Sequence, residues 1–349
     1  MYIYYMVTNL LNKLEYIYQK KIYLIYLLFL IFSIISSLFY GHVYLSKFPD
    51  QFNEDNQIIL RNIPFGYGAL IDNLFYNNQY HQEWFGVQSY VARFPFLPLF
   101  ITTISKISLN FYFFIVLKNV IFLSIFFFIS YYSLKSLNKN YIIFLFLLAL
   151  IFYNYYNFST ILNFVFADAI ISILLPSIFL ISVSSIKRKS MLVSILLFFL
   201  FFTKTTMFFL TIVISLLFFF LNNKKNIINR LLPISFVLIA ILIWGGFGYI
   251  KTGKFPFGSD ASSTNQEAFS VVMNKEFHKY YPEMSVDLIP RITIKEKFEN
   301  EWDYHEYYKK INTEYMLQNK EQVFKDILIK IKFILFNYKK DQVLPDEKG

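Results

Sequence analysis

Long apolar runs broken by short polar stretches fill the first 250 positions of the chain. A helix needs roughly 17 to 25 such residues to cross about 30 Å of hydrocarbon. The runs 22–40, 110–134, 141–157, 161–184, 191–203, 206–221 and 231–250 are read as transmembrane helices. One polar interval is unusually long: residues 41–93 hang between greasy helices and carry the acidic pair Glu54-Asp55. The piece 94–109 is apolar but holds Pro95, Pro98 and Lys106, which suits an interfacial or re-entrant helix better than a crossing. Beyond position 251 the pattern turns polar, with apolar and aromatic residues returning at three- and four-residue spacing in a helix predicted over 295–338 (Phe298, Trp302, Tyr304, Tyr308, Ile311, Tyr315). Within it, 327–336 is apolar but too short to span and contains Lys330 and Lys332.

The expected fold class is an all-α polytopic membrane protein. It has about seven transmembrane helices, interfacial helices in a long first outer loop, and an outer C-terminal helical segment. The domain organisation follows: a cytoplasmic N-terminus over 1–21, a transmembrane domain over 22–250 with its outer loop at 41–109, and an outer segment over 251–349.

Charge sets the expected orientation. Residues 254–349 hold 15 basic and 16 acidic side chains, so the net charge of +10 arises in residues 1–253, largely in short loops. That is the positive-inside pattern, and it argues against a nucleic-acid surface. Lys135/Lys139, Lys187-Arg188-Lys189 and Lys224/Lys225/Arg230 are assigned to the cytoplasm. The loop 41–93, the stretch 157–163, the turn at Lys204 and the tail then face outward. Were 94–109 a full crossing, every later basic loop would change sides. The expected location is a multi-pass plasma membrane, by default a bacterial inner membrane, with the N-terminus cytoplasmic. There is no cysteine, so disulfides and thiol catalysis are excluded. The 44 Phe and 28 Tyr reflect a general residue bias and are given little weight as ligand platforms.

Four polar features fall on the predicted outer face. Glu54 and Asp55 supply paired carboxylates suited to acid–base work, although such a pair in a loop is commonly just solvated. Asp168 sits a few residues into a predicted span, where a carboxylate must face a polar cavity, find a partner or serve the helix N-terminus. Lys204, in Thr203-Lys204-Thr205, could bind a lipid phosphate or simply snorkel to the interface. Arg93, just before the re-entrant piece, suits a phosphate or a topological anchor equally. His81 and Glu83 do not form a zinc spacing, and no Walker loop, GxGxxG or GxSxG is present.

The order of these features resembles the C-type-fold glycosyltransferases that use lipid-phosphate sugars, the group of protein O-mannosyltransferases and the lipid A aminoarabinose transferase. Phe52-Asn53-Glu54-Asp55-Asn56-Gln57 resembles the family's acidic pair after the first span, with Glu before Asp where the family commonly has the reverse. Gly66-Tyr67-Gly68 through Tyr80, and then Arg93-Phe94-Pro95-Phe96-Leu97-Pro98-Leu99, are similar to its proline-bearing juxtamembrane segment. Phe166-Ala167-Asp168-Ala169 resembles its second outer-loop acid, usually Glu, and Phe202-Thr203-Lys204-Thr205 its threonine–lysine turn. Ser259 to Phe269, with Thr264-Asn265, and Asn300-Glu301 through Asn319 resemble its outer linker and helix. The resemblance covers about 22–336; each motif is short, and order and shared sidedness carry it.

That resemblance implies transfer of a sugar from a polyprenyl-phosphate donor to a lipid, glycan or protein acceptor on the extracytoplasmic face. It implies Asp55 as general base, with Glu54 as the second choice, and inversion at the anomeric carbon. Asp168 would orient base or acceptor or help hold a metal, while Lys204 and Arg93 would hold the lipid phosphate. A divalent cation, Mg or Mn, is the one cofactor it suggests; membrane lipids are the expected surroundings and nucleic acid is not a partner. Alternatives are an O-antigen polymerase or ligase, which leans on Arg and His, and a transporter, which would want paired broken helices. A third is a truncated, non-catalytic remnant, since relatives continue with further spans where this chain stops at Gly349.

Overall fold

The first helix, α1 (Ile22–Lys47), turns a stripe of small residues ending in Tyr44 inward and many of its large apolar side chains outward. Ser33, Ser37, Gly41 and Tyr44 are its buried positions, an i, i+4, i+8, i+11 stripe along one face. Leu28, Ile31, Phe32, Ile35, Leu38 and Phe39 stand exposed on the other. A water-soluble protein would reverse this order. In a bilayer, close approach of small residues drives helix packing, and large apolar side chains meet lipid. The buried stripe receives α4 (Phe111–Ser136), the most extensive helix–helix contact among the described residues.

The computed structural model describes residues 20–63, 67–84, 87–91, 93–137, 141–156, 167–204, 206–222, 226–256 and 316–332, together with Tyr16, Tyr18, Trp302, Glu306, Lys310, Thr313 and Glu314. Between α1 and α4 lie two 3-10 turns (Pro49–Gln51 and Leu60–Asn62), α2 (Gly68–Asn77), a hairpin of β1 (Gln82–Trp84) with β2 (Val87–Ser89), and α3 (Phe96–Ile107). The chain continues through α5 (Tyr141–Tyr156), α6 (Ala167–Val183), α7 (Lys189–Phe201), α8 (Met207–Leu221), α9 (Ile227–Thr252) and α10 (Lys320–Lys332). Among the described residues the protein is thus all-α and membrane-type apart from one small antiparallel hairpin, paired Gln82 to Ser89 and Trp84 to Val87, which the polar pattern of 41–93 did not predict.

Among the described residues three helices, α1, α4 and α9, are long and apolar enough to cross a membrane, each with 26 residues. They coincide with the predicted runs 22–40, 110–134 and 231–250. The described helices α5, α6, α7 and α8 have 16, 17, 13 and 15 residues. At 1.5 Å per residue these are about 20 to 26 Å long, short of a full hydrocarbon core. The tail helix predicted over 295–338 is described as α10; Phe298, Tyr304, Tyr308, Ile311 and Tyr315, and the stretch 257–301, lie outside the described residues.

Two compact units divide the chain. One comprises Met1–Tyr80 with Phe94–Gly246, the other His81–Arg93 with Phe247–Gly349. In the first, α4 is the hub: it packs on α1, α5 and α6, and α6 in turn on α7. Its C-terminal Ser136 Oγ accepts from Ser185 N at 3.0 Å, just past the end of α6, so α4 and α6 run the same way and end together. Tyr18 packs edge-on against Tyr131, which sets the start of α1 at this same end. Lys20, Lys21, Lys135, Lys187 and Arg188 are exposed there, so the basic loops gather on one side of the unit.

A buried polar chain ties three helices together in the hydrophobic interior. Tyr155 OH on α5 donates to Asn119 Oδ1 on α4 at 2.8 Å, and Asn119 Nδ2 donates to Ser37 Oγ on α1 at 2.9 Å. Breaking such a chain removes hydrogen bonds between desolvated polar atoms on different helices. Asn119→Leu is expected to lower stability by about 1–3 kcal/mol, because Ser37 and Tyr155 stay buried without Asn119. Thermal unfolding of the purified protein in detergent checks this.

In the second unit, Gly248 permits a close approach: a side chain there would run into the ring of Pro256. Trp302 Nε1 donates to Thr252 Oγ1 at 2.7 Å, and Lys254 pairs with Glu306 at 2.7 Å.

Candidate functional site

The segment carrying Glu54 and Asp55 is a tight turn braced on the N-terminus of α4. Asn53 begins it: its Oδ1 accepts from Asp55 N at 3.1 Å and Gln57 N at 2.8 Å, an Asx turn that fixes the loop without secondary structure. Asn56 takes a left-handed conformation at φ 57°, tolerable for Asn because its short side chain bonds locally. Phe52 and Ile58 then bridge as antiparallel partners. Below, Phe111 N donates to Asn56 O at 3.0 Å and Ile58 N to Leu109 O at 2.9 Å. Phe52 packs on Phe111 and Tyr44, and Tyr44 OH donates to the buried Gln51 Oε1 at 2.9 Å. Apolar anchors on both flanks therefore hold a rigid tip, and Glu54 and Asp55 project from it exposed.

Asp168 and Lys204, 36 positions apart, meet. The Lys204 ammonium contacts both carboxylate oxygens, at 2.8 and 3.1 Å. Asp168 lies in the first turn of α6, where the unsatisfied amide groups favour a negative charge. Lys204 occupies the turn between α7 and α8, an antiparallel hairpin closed by contact of Phe201 with Phe208. Thr203, buried at 1% exposure, clamps that turn by donating Oγ1 to Leu200 O at 2.6 Å. The side chains of the pair are 40% and 29% exposed, so it faces an open space as well as its partner. An ion pair this exposed contributes only about 0.2–1 kcal/mol to stability.

Direction of the helices sets where these features lie. Since α4 and α6 end together at Ser136 and Ser185, their N-termini share the opposite end of the unit. That end bears the Glu54-Asp55 turn on α4 and the Asp168–Lys204 pair on α6. Counted along the helices from the shared contact, the start of α4 stands about 13 Å higher than Asp168. The mouth is therefore stepped. α3 bridges the step: Phe96 N donates to Phe202 O at 3.2 Å beside the Lys204 turn, and its far end reaches Leu109, which holds Ile58. α3 thus runs from one loop of this end to another, with Phe100 packed on Phe122 of α4.

Lys118 is the polar residue that reading the loops overlooked. It lies two turns into α4, is only 3% exposed, and its ammonium stands 6.0 Å from the Tyr155 ring centroid. By helical rise it is at about the height of Asp168. A lysine within an apolar helix is a strong functional marker, and Lys118-Asn119 inside the run 110–134 carried that signal. Arg93 belongs to the second unit and is half-buried there. His81 and Glu83 also belong to that unit.

Among the described residues no three His, Asp or Glu side chains gather into a metal-binding group. Asp168 spends both oxygens on Lys204. Comparison with family models, curated proteins and solved structures finds no match to this chain.

Proposed function

We propose that this protein is a membrane glycosyltransferase that moves a sugar from a polyprenyl-phosphate donor to a lipid, glycan or protein hydroxyl outside the cytoplasm. The observation that carries the proposal is the gathering of the Glu54-Asp55 turn and the Asp168–Lys204 pair at the end of the helical unit opposite the basic loops. The sequence resemblance supports it from a separate direction, because the same four residues occupy the family's motifs. In this reading α5, α6, α7 and α8 cross with α1, α4 and α9 as seven spans in a locally thinned bilayer. Their basic ends face the cytoplasm.

Asp55 accepts the proton of the acceptor hydroxyl. The hydroxyl oxygen attacks the anomeric carbon as the bond from that carbon to the phosphate oxygen breaks, and the configuration inverts. The departing polyprenyl phosphate takes up the negative charge, which Lys204 stabilises. Asp168 positions the Lys204 ammonium before the donor arrives, a task that the pairing favours over orienting the base. Arg93, in the second unit, is given no part in this step.

The test is to offer the purified protein, in nanodiscs, a panel of polyprenyl-phosphate sugars and acceptors and to follow release of polyprenyl phosphate. Turnover from any donor supports the proposal. No turnover, where a lipid-phosphate-sugar transferase used as control is active, reassigns the chain to a non-catalytic scaffold.

A further inference from the structure

The C-terminal helix α10 (Lys320–Lys332) presents an apolar face that is exposed among the described residues. With Leu317 just before it, Phe324, Leu328 and Ile331 form one stripe at seven- and four-residue spacing. Their exposures are 59%, 62%, 48% and 46%. The opposite side is the packed one: Asp326 is 4% exposed and accepts from Gln322 Nε2 at 2.8 Å. Lys320 stands on one border of the exposed stripe, and Lys325 and Lys332 on the other, all exposed. Glu321 is the exposed acid on that face within α10, and Glu314, also exposed, stands one turn before Leu317. An apolar strip edged by lysines is complementary to a surface that is greasy below and anionic above.

We infer that α10 is an interfacial helix that lies on the membrane with Phe324, Leu328 and Ile331 in the acyl boundary and its lysines on anionic lipid headgroups. The second unit begins within α9, a helix of membrane length, so the bilayer is adjacent to it through the chain itself. The 13 described residues of α10 span about 20 Å, long enough to lie along the membrane surface. This inference is independent of the proposed chemistry.

The absence of cysteine makes the test clean. A nitroxide is attached to Phe324→Cys or Leu328→Cys in the full chain, reconstituted in nanodiscs containing phosphatidylglycerol. Its collisions with oxygen and with a water-soluble nickel chelate are then compared. The expected result is loss of nickel access with oxygen access retained at both positions. In the same background each of Lys320→Gln and Lys325→Gln is expected to lower the docked-to-undocked ratio about fivefold. Nickel access equal to that of a label at the exposed Glu54 would overturn the inference. So would protection from both reagents that is indifferent to lipid charge, the result expected of a protein partner or a second copy.

Discussion

Replacing Asp55 by asparagine is expected to lower sugar transfer by about 10²- to 10⁴-fold, the range that positioned proton transfer contributes. The substitution keeps the shape of the side chain and removes its ability to take a proton. Its structural cost is expected to be slight. Asp55 is exposed, and its bond to Asn53 runs through its backbone amide, which asparagine retains. Binding of donor should change little, so the loss should fall on kcat rather than KM. Glu54→Gln is the control on the same tip: a small effect there with a large one at Asp55 identifies the base. The reverse would exchange the two roles without altering the reading of the turn.

Lys204→Met is expected to cost about 10²- to 10³-fold in turnover, as loss of a charge aimed at a developing oxyanion does. Stability is expected to change far less, by no more than about 1 kcal/mol, because the pair is half exposed and screened. That contrast separates the functional reading from the structural one. A latch that merely held α6 to the α7–α8 hairpin would lower the melting temperature and leave turnover in the surviving protein intact. Asp168→Asn is expected to fall between the two. It frees the ammonium without deleting it, so kcat falls less than in Lys204→Met, and the double variant is no worse than Lys204→Met alone.

The residues near the ends of apolar runs were legible because charge in such places is costly and therefore informative. Asp168 and Lys204 could each be singled out on that ground. Their contact could not, because it depends on how α6 lies against α7, and nothing local to either residue encodes that packing. Lys118 was open to the same argument, yet the apolar run around it reads as an uninterrupted span. Only the fold shows it buried beside Tyr155 at the height of Asp168. Helix positions followed the apolar pattern well at α1, α4 and α9. The short runs 191–203 and 206–221 likewise return as the short helices α7 and α8, with Thr203 clamping the turn that follows α7. The β1–β2 hairpin escaped because three-residue strands are too short to establish a period of two. Asn53 and Asn56 marked a turn, but the bracing of that turn on Phe111 is tertiary.

The most direct measurement is a single time course of polyprenyl phosphate released from one accepted donor, with wild type, Asp55→Asn and Lys204→Met side by side at equal folded concentration. The account expects steady release from wild type and losses of at least about 10²-fold in both variants. Release by both variants at the wild-type rate would contradict it, because neither the acidic turn nor the paired lysine would then touch the reaction.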